Sequence, residues 1–146
     1  MTATARVQVT SVFEIALDRS DIDFETMKPG TMKYDIPATG IKITTKTNTG
    51  NKWYLLINAL SNLSDGDKYI DNSNFYWYGW SEGKGRWYGT GEDTMQLTPI
   101  TAYESSVDET VNYPDGTNNY FKFKLNIPKI QQPGNYESII RFTITE

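Results

Sequence analysis

Histidine and cysteine are both absent from the 146 residues. Thiolate nucleophiles, disulfides, zinc or haem sites built on these residues and every histidine-based triad are therefore excluded. Paired carboxylates are the acid–base apparatus that remains, as in glycosidases. The candidates are Glu82, Glu92, Asp93, Glu104, Asp108 and Glu109, all in loops or beside turns, and no spacing singles out a pair. The chain is expected not to be an enzyme and to carry no cofactor.

Two short segments suggest ion or phosphate chemistry and fail on inspection. Ser64-Asp65-Gly66-Asp67-Lys68-Tyr69-Ile70-Asp71 has alternating acids, but a helix-flanked calcium loop needs a ligand at Tyr69, a glycine at Ile70 and a distal glutamate. It is read as a solvated turn, and no metal site is expected. Gly79-Trp80-Ser81-Glu82-Gly83-Lys84-Gly85 contains Gly-Lys, but Gly85 stands where a phosphate loop needs Ser or Thr, so it is read as a hairpin turn.

Aromatic side chains form the densest chemical feature. Phe75-Tyr76-Trp77-Tyr78-Gly79-Trp80 with Trp87-Tyr88 includes three of the four tryptophans. In a strand, Phe75 and Trp77 face one way while Tyr76, Tyr78 and Trp80 face the other. An exposed row stacks on sugar rings or buries at a protein interface. The alternative is a row covered on both faces, with the Ser105 to Asn119 loop as lid. Tyr76, Trp77, Tyr78, Trp80, Trp87 and Tyr88 are the candidate sugar-binding or interface residues.

The elements that position these residues follow from period-two patterning. Val7, Val9, Phe13, Ile15 and Leu17 alternate with polar residues over Arg6 to Asp18, which predicts a first strand about twice the usual length. Val7, Val9, Phe13 and Ile15 make it the candidate assembly strand, pairing within the molecule or adding to a neighbouring subunit. A short strand is expected at Ile22 and Phe24, and an edge strand from Lys33 to Ile36. Ile41 to Lys46 alternates, and Asn48-Thr49-Gly50-Asn51 reads as a hairpin loop to the next strand, Trp53 to Ala59. Ser61 to Asn74 reads as a surface loop. Phe75 to Trp80 and Arg86 to Tyr88 read as a hairpin, Met95 to Glu104 as a strand broken by Pro99, and Ser105 to Asn119 as a polar excursion. Phe121, Phe123, Leu125 and Ile127, then Tyr136, Ile140, Phe142 and Ile144, read as a closing antiparallel pair.

These patterns predict one all-β domain over 1–146, an immunoglobulin-like Greek-key sandwich of two antiparallel sheets with eight or nine strands. The composition agrees: apolar residues make up 38%, and β-branched and aromatic residues outnumber strong helix formers. With 14 basic against 18 acidic residues, nucleic acid is not expected as a partner. No run approaches the roughly 18 apolar residues of a membrane-spanning helix, so membrane insertion is not expected. Met1 to Ala5 lacks the basic and apolar regions of a signal peptide. An extracellular or cell-surface location is expected, with a leader already removed and Met1 added at the start.

The order Thr49-Gly50-Asn51-Lys52-Trp53-Tyr54-Leu55, then Leu125-Asn126-Ile127-Pro128, then Pro133-Gly134-Asn135-Tyr136 and a terminal Phe142-Thr143-Ile144-Thr145 resembles exported bacterial surface sandwiches of the WxL cell-wall type. Trp53-Tyr54-Leu55 matches the mid-chain Trp-x-Leu of those domains, and Phe142-Thr143-Ile144 stands where their second motif lies. The closing pattern is also similar to pilin-like, fibre-forming sandwiches. The resemblance implies a non-enzymatic surface-layer, wall-associated or fibre subunit assembling by strand addition. Self-association or other surface proteins are then the expected partners, with polysaccharide or peptidoglycan as further ones. A carbohydrate-binding module and a virion structural domain are the alternatives.

Overall fold

The computed structural model describes residues 1–35 and 40–146. Its strands are β1 (Phe13–Leu17), β2 (Met32–Tyr34), β3 (Ile41–Thr47), β4 (Tyr54–Ala59), β5 (Leu63–Asp65), β6 (Lys68–Ile70), β7 (Phe75–Ser81), β8 (Arg86–Trp87), β9 (Asp93–Thr94), β10 (Ile100–Glu104), β11 (Thr117–Asn126) and β12 (Ile140–Thr145). All pair antiparallel. The larger sheet runs β1-β3-β11-β7-β9, with β2 also on β11; the smaller runs β12-β4-β10-β8; β5 and β6 form a hairpin. The two large sheets pack as an all-β sandwich.

Alternation makes the layers. In β3, Ile41, Ile43, Thr45 and Thr47 are buried while Lys42, Thr44 and Lys46 lie on the outer face. β11 does the same over ten residues, burying Thr117, Asn119, Phe121, Phe123 and Leu125. Trp53, Leu55, Ile57 and Ala59 supply the facing row from the smaller sheet. Phe121 sits at the centre, its ring centroid 5.8 Å from that of Trp77, 5.2 Å from Trp87 and 5.0 Å from Phe142. Each such side chain contributes roughly 1.5–3 kcal/mol by leaving water.

Several connections differ from the expected ones, and for a common reason. Asn48 to Asn51 does not close a hairpin: β3 belongs to the larger sheet and β4 to the smaller, so the loop crosses the sandwich. The same holds for β7 and β8 across Ser81 to Gly85, and for β11 and β12, each of which pairs in a different sheet. A strand with one buried row shows identical periodicity whether its chain neighbour lies beside it or opposite it. Ser61 to Asn74 holds the β5–β6 hairpin and a short 3-10 turn at Asn72–Asn74, elements too brief to leave a period. Ile22 and Phe24 pack partly buried against the core but form no named strand. The edge strand expected at Lys33 is β2; its expected end at Ile36 lies outside the described residues.

The first strand is also shorter than expected. It starts at Phe13, and residues 1–11 are exposed. Asn48 marks the boundary: its side chain accepts from the Val12 N–H at 2.7 Å and donates to the Thr10 carbonyl at 2.8 Å. Phe13 and Ile15 then pair with Thr47 and Thr45 of β3 and pack on the core. They belong to the molecule's own sheet, which removes them from the candidate assembly strand.

Gly79 allows β7 and β11 to approach. A Cβ there would lie 1.8 Å from the Tyr120 carbonyl oxygen, a backbone atom that cannot step aside. Gly79→Ala is expected to cost about 2–4 kcal/mol by forcing the strands apart. Chemical denaturation measures the loss, and an unchanged midpoint would contradict the pairing of Gly79 with Phe121.

Candidate functional site

The predicted aromatic cluster divides between the core and two surfaces. Trp77 is 1% exposed and packs against Phe121 and Trp87, so it is a core residue. Trp87 points inward from the smaller sheet onto the same ring, half-buried. Both leave the candidate site, because β7 and β8 lie in opposite sheets and turn these two tryptophans toward each other. Tyr88 is exposed on the far side, where its hydroxyl donates to Glu104 and the Arg86 guanidinium lies 4.4 Å over its ring. That hydrogen bond raises the Tyr88 pKa and helps to lower that of Glu104, for which Lys52 is the larger cause.

Tyr76, Tyr78 and Trp80 remain together on the outer face of the larger sheet. The Ser105 to Asn119 segment does not cover them; it closes one end of the sandwich instead. β11 presents Tyr120, Lys122 and Lys124 on the same face, in register with Trp80, Tyr78 and Tyr76. Trp80, 44% exposed, stacks on Tyr120 at 4.9 Å with the rings 11° apart, and Lys122 lies 5.4 Å over its ring. Lys124 lies 4.7 Å over Tyr76, and Tyr34 meets Tyr78 edge-on at 6.0 Å. Sequence reading missed Tyr34, Tyr120, Lys122 and Lys124 because only strand register brings them to this face.

Two carboxylates brace the row. Glu82 accepts from the Tyr120 hydroxyl at 2.9 Å and from Asn118 at 3.2 Å. Glu92 accepts from Lys124 and from the Tyr34 hydroxyl, and these two hydrogen bonds, the lysine first, hold it below the usual carboxylate range. The same contacts raise Tyr34, Tyr120 and Lys124. The face is thus a ladder of rings and ion-paired groups in which Trp80 and Tyr34 are the exposed rings.

The other carboxylates are separately engaged. Glu109 is buried at the closed end of the sandwich, where it accepts from Tyr103 (2.7 and 2.9 Å to its two oxygens), Thr117 (2.9 Å) and the Ser106 N–H (2.8 Å). Burial opposes its ionisation, but these hydrogen bonds outweigh that and leave its pKa lowered. Burial first, then the bond to Glu109, pushes Tyr103 up to about 12. Asp108 lies 4.0 Å from Lys84 at the surface. In the β5–β6 hairpin, Asp65 accepts from the Asn135 N–H and pairs with Lys68. No group of three or more His, Cys, Asp or Glu positioned to hold a metal ion occurs among the described residues.

The last candidates, Val7 and Val9, are 89% and 77% exposed and contribute nothing to their own core. Comparison with protein-family models, with curated proteins and with solved structures found no match.

Proposed function

We propose that this chain is a non-enzymatic structural subunit of an extracellular or cell-surface assembly, joined to neighbouring copies through its N-terminal segment. The observation that carries this reading is the exposed segment before β1. It displays Val7 and Val9 to water and is rich in β-branched residues, a combination that gains stability only when something covers it. The non-enzymatic part is supported by composition, since the chain has neither histidine nor cysteine from which to build a nucleophile–base pair. Removing residues 2–10 is expected to leave a folded monomer, because no residue of this stretch is buried, and to abolish assembly. Light scattering and electron microscopy of the full and shortened chains make the comparison. An unfolded product or unchanged assembly would contradict it.

A second reading is favoured by the row Tyr76, Tyr78 and Trp80: a carbohydrate-binding face. Successive rings on one strand face lie about 6.6 Å apart, a spacing able to follow an extended glycan. A polysaccharide panel separates the readings. Retention that disappears with Trp80→Ala, without turnover, supports the glycan face; turnover that disappears with Glu82→Gln or Glu104→Gln would make the chain an enzyme and defeat both readings.

A further inference from the structure

The two ends of the sandwich are built differently. At one end the Ser105 to Asn119 segment and the hydrogen bonds of Glu109 close the gap between the sheets. At the other, where β1, β6 and β11 end and β7 and β12 begin, a groove of about 870 Å³ remains. Its floor is core: Ile41, Ile70, Phe75 and Leu125 line it, each at most 5% exposed. Phe24 and Phe142 are partly buried walls, and the Phe24 ring meets Phe75 edge-on at 5.9 Å. The volume falls within the roughly 300–1,000 Å³ of small-molecule pockets.

The rim carries one sign of charge. Asp21, Asp23, Glu25 and Glu137 line the groove, and among the described residues no lysine or arginine does. Alternation along Asp21-Ile22-Asp23-Phe24-Glu25 produces this arrangement, because Ile22 and Phe24 pack on the core and leave the carboxylates exposed. The Glu25 N–H donates to Asp23 Oδ1 at 2.7 Å, and Glu25 takes a left-handed φ of 58°, so a turn holds the acids in place. Two nearby bases are already matched: Lys33 lies 3.7 Å from Glu25 and Lys68 lies 3.6 Å from Asp65. Asp21, Asp23 and Glu137 form no ion pair among the described residues.

We propose that this groove binds a small organic cation, a primary amine carried on an apolar body. The apolar floor takes the body, and the ammonium group rests at the mouth among the carboxylates. The mouth already accommodates one ammonium: Lys68 lies 6.0 Å over the Tyr136 ring and donates to the Pro133 carbonyl at 2.6 Å. An anionic ligand would meet like charge, and a wholly apolar one would cover carboxylates without giving them a partner. The site stands apart from both readings above, since it involves neither the N-terminal segment nor the outer aromatic face. Arg6 makes the chain's own N-terminus a competing cation, but residues 1–11 are exposed and none of them lines the groove.

Phenethylamine and hydrocinnamate share an apolar body and differ in charge at neutral pH, which makes them the probes. Each is titrated into the full-length chain while backbone amide resonances are followed by NMR. The amine is expected to shift Ile22, Phe24 and Ile140 and to bind at least ~10-fold more tightly than the carboxylate. The double variant Asp21→Asn, Glu137→Gln, at two exposed positions, is expected to keep the fold by circular dichroism and to weaken amine binding about 5-fold. Ile139→Lys places a fixed ammonium at the groove, where Ile139 is 65% exposed, and is expected to weaken the amine about 10-fold. Equal affinity for the two probes, or shifts that are absent or lie elsewhere, would overturn the proposal. Amine binding that tightens about 10-fold in Arg6→Ala would make the chain's own N-terminus the occupant and overturn it as well.

Discussion

Replacing Glu109 with alanine is expected to destabilise the protein by about 3–5 kcal/mol, the loss that follows when several buried donors lose one charged acceptor. Glu109 joins parts that no ladder connects: Tyr103 on β10, Thr117 at the start of β11 and the Ser106 turn between them. The Tyr103 oxygen in turn accepts from the Gly85 N–H at 2.8 Å, which ties in the crossing between β7 and β8. For a domain of this size, Tm should fall by roughly 10 °C. Glu109→Gln, which keeps an acceptor but loses the charge, should cost about 2 kcal/mol. The pH dependence has a definite sign. Because the folded-state pKa of Glu109 is lowered from 4.5, its contribution is fully present above that value and is lost as pH falls through the folded pKa. The wild-type protein should therefore lose more stability than Glu109→Gln as the pH falls from about 5 into strongly acidic conditions. Parallel acid-unfolding curves for the two proteins would contradict the assignment.

Trp53→Ala is expected to cost about 3–5 kcal/mol as a large-to-small change in a fully buried site. The indole lies 5.5 Å from the Tyr103 ring, and its Nε1–H donates to the Glu109 carbonyl oxygen at 3.0 Å. The Trp53 N–H donates to Ser105 Oγ at 2.9 Å, so the residue also fastens the closing segment to β4. Trp53→Phe isolates the indole hydrogen bond and should cost about 1–2 kcal/mol. Because Trp53 and Glu109 hold the same segment, their combined loss should be smaller than the two single losses added together. Urea denaturation of the single and double variants measures it; full additivity would mean that the indole and the carboxylate act on separate parts of the molecule.

Trp53 also shows what was legible without coordinates. Its place at the head of Trp53, Leu55, Ile57 and Ala59 marked it as a core residue, and all four are buried. The Tyr76, Tyr78 and Trp80 row was likewise legible as a face opposite Phe75 and Trp77, because alternation is a property of the strand itself. The same holds for the all-β class and for the polar and apolar rows of β3 and β11. Partners across the chain were not legible. Trp87 is adjacent in sequence to the surface aromatics, yet packs half-buried against the core because Ser81 to Gly85 crosses between sheets. Tyr120 is forty residues from Trp80 and stacks on it through register alone. Glu109 looked like one loop carboxylate among several until Tyr103, Thr117 and Ser106 converged on it. Val7 and Phe13 share one alternating pattern, but the first is in water and the second in a sheet. Periodicity reports which side of a strand is apolar; what that side meets depends on chain crossings and on long-range partners such as Asn48, whose side chain ends the pairing at Val12.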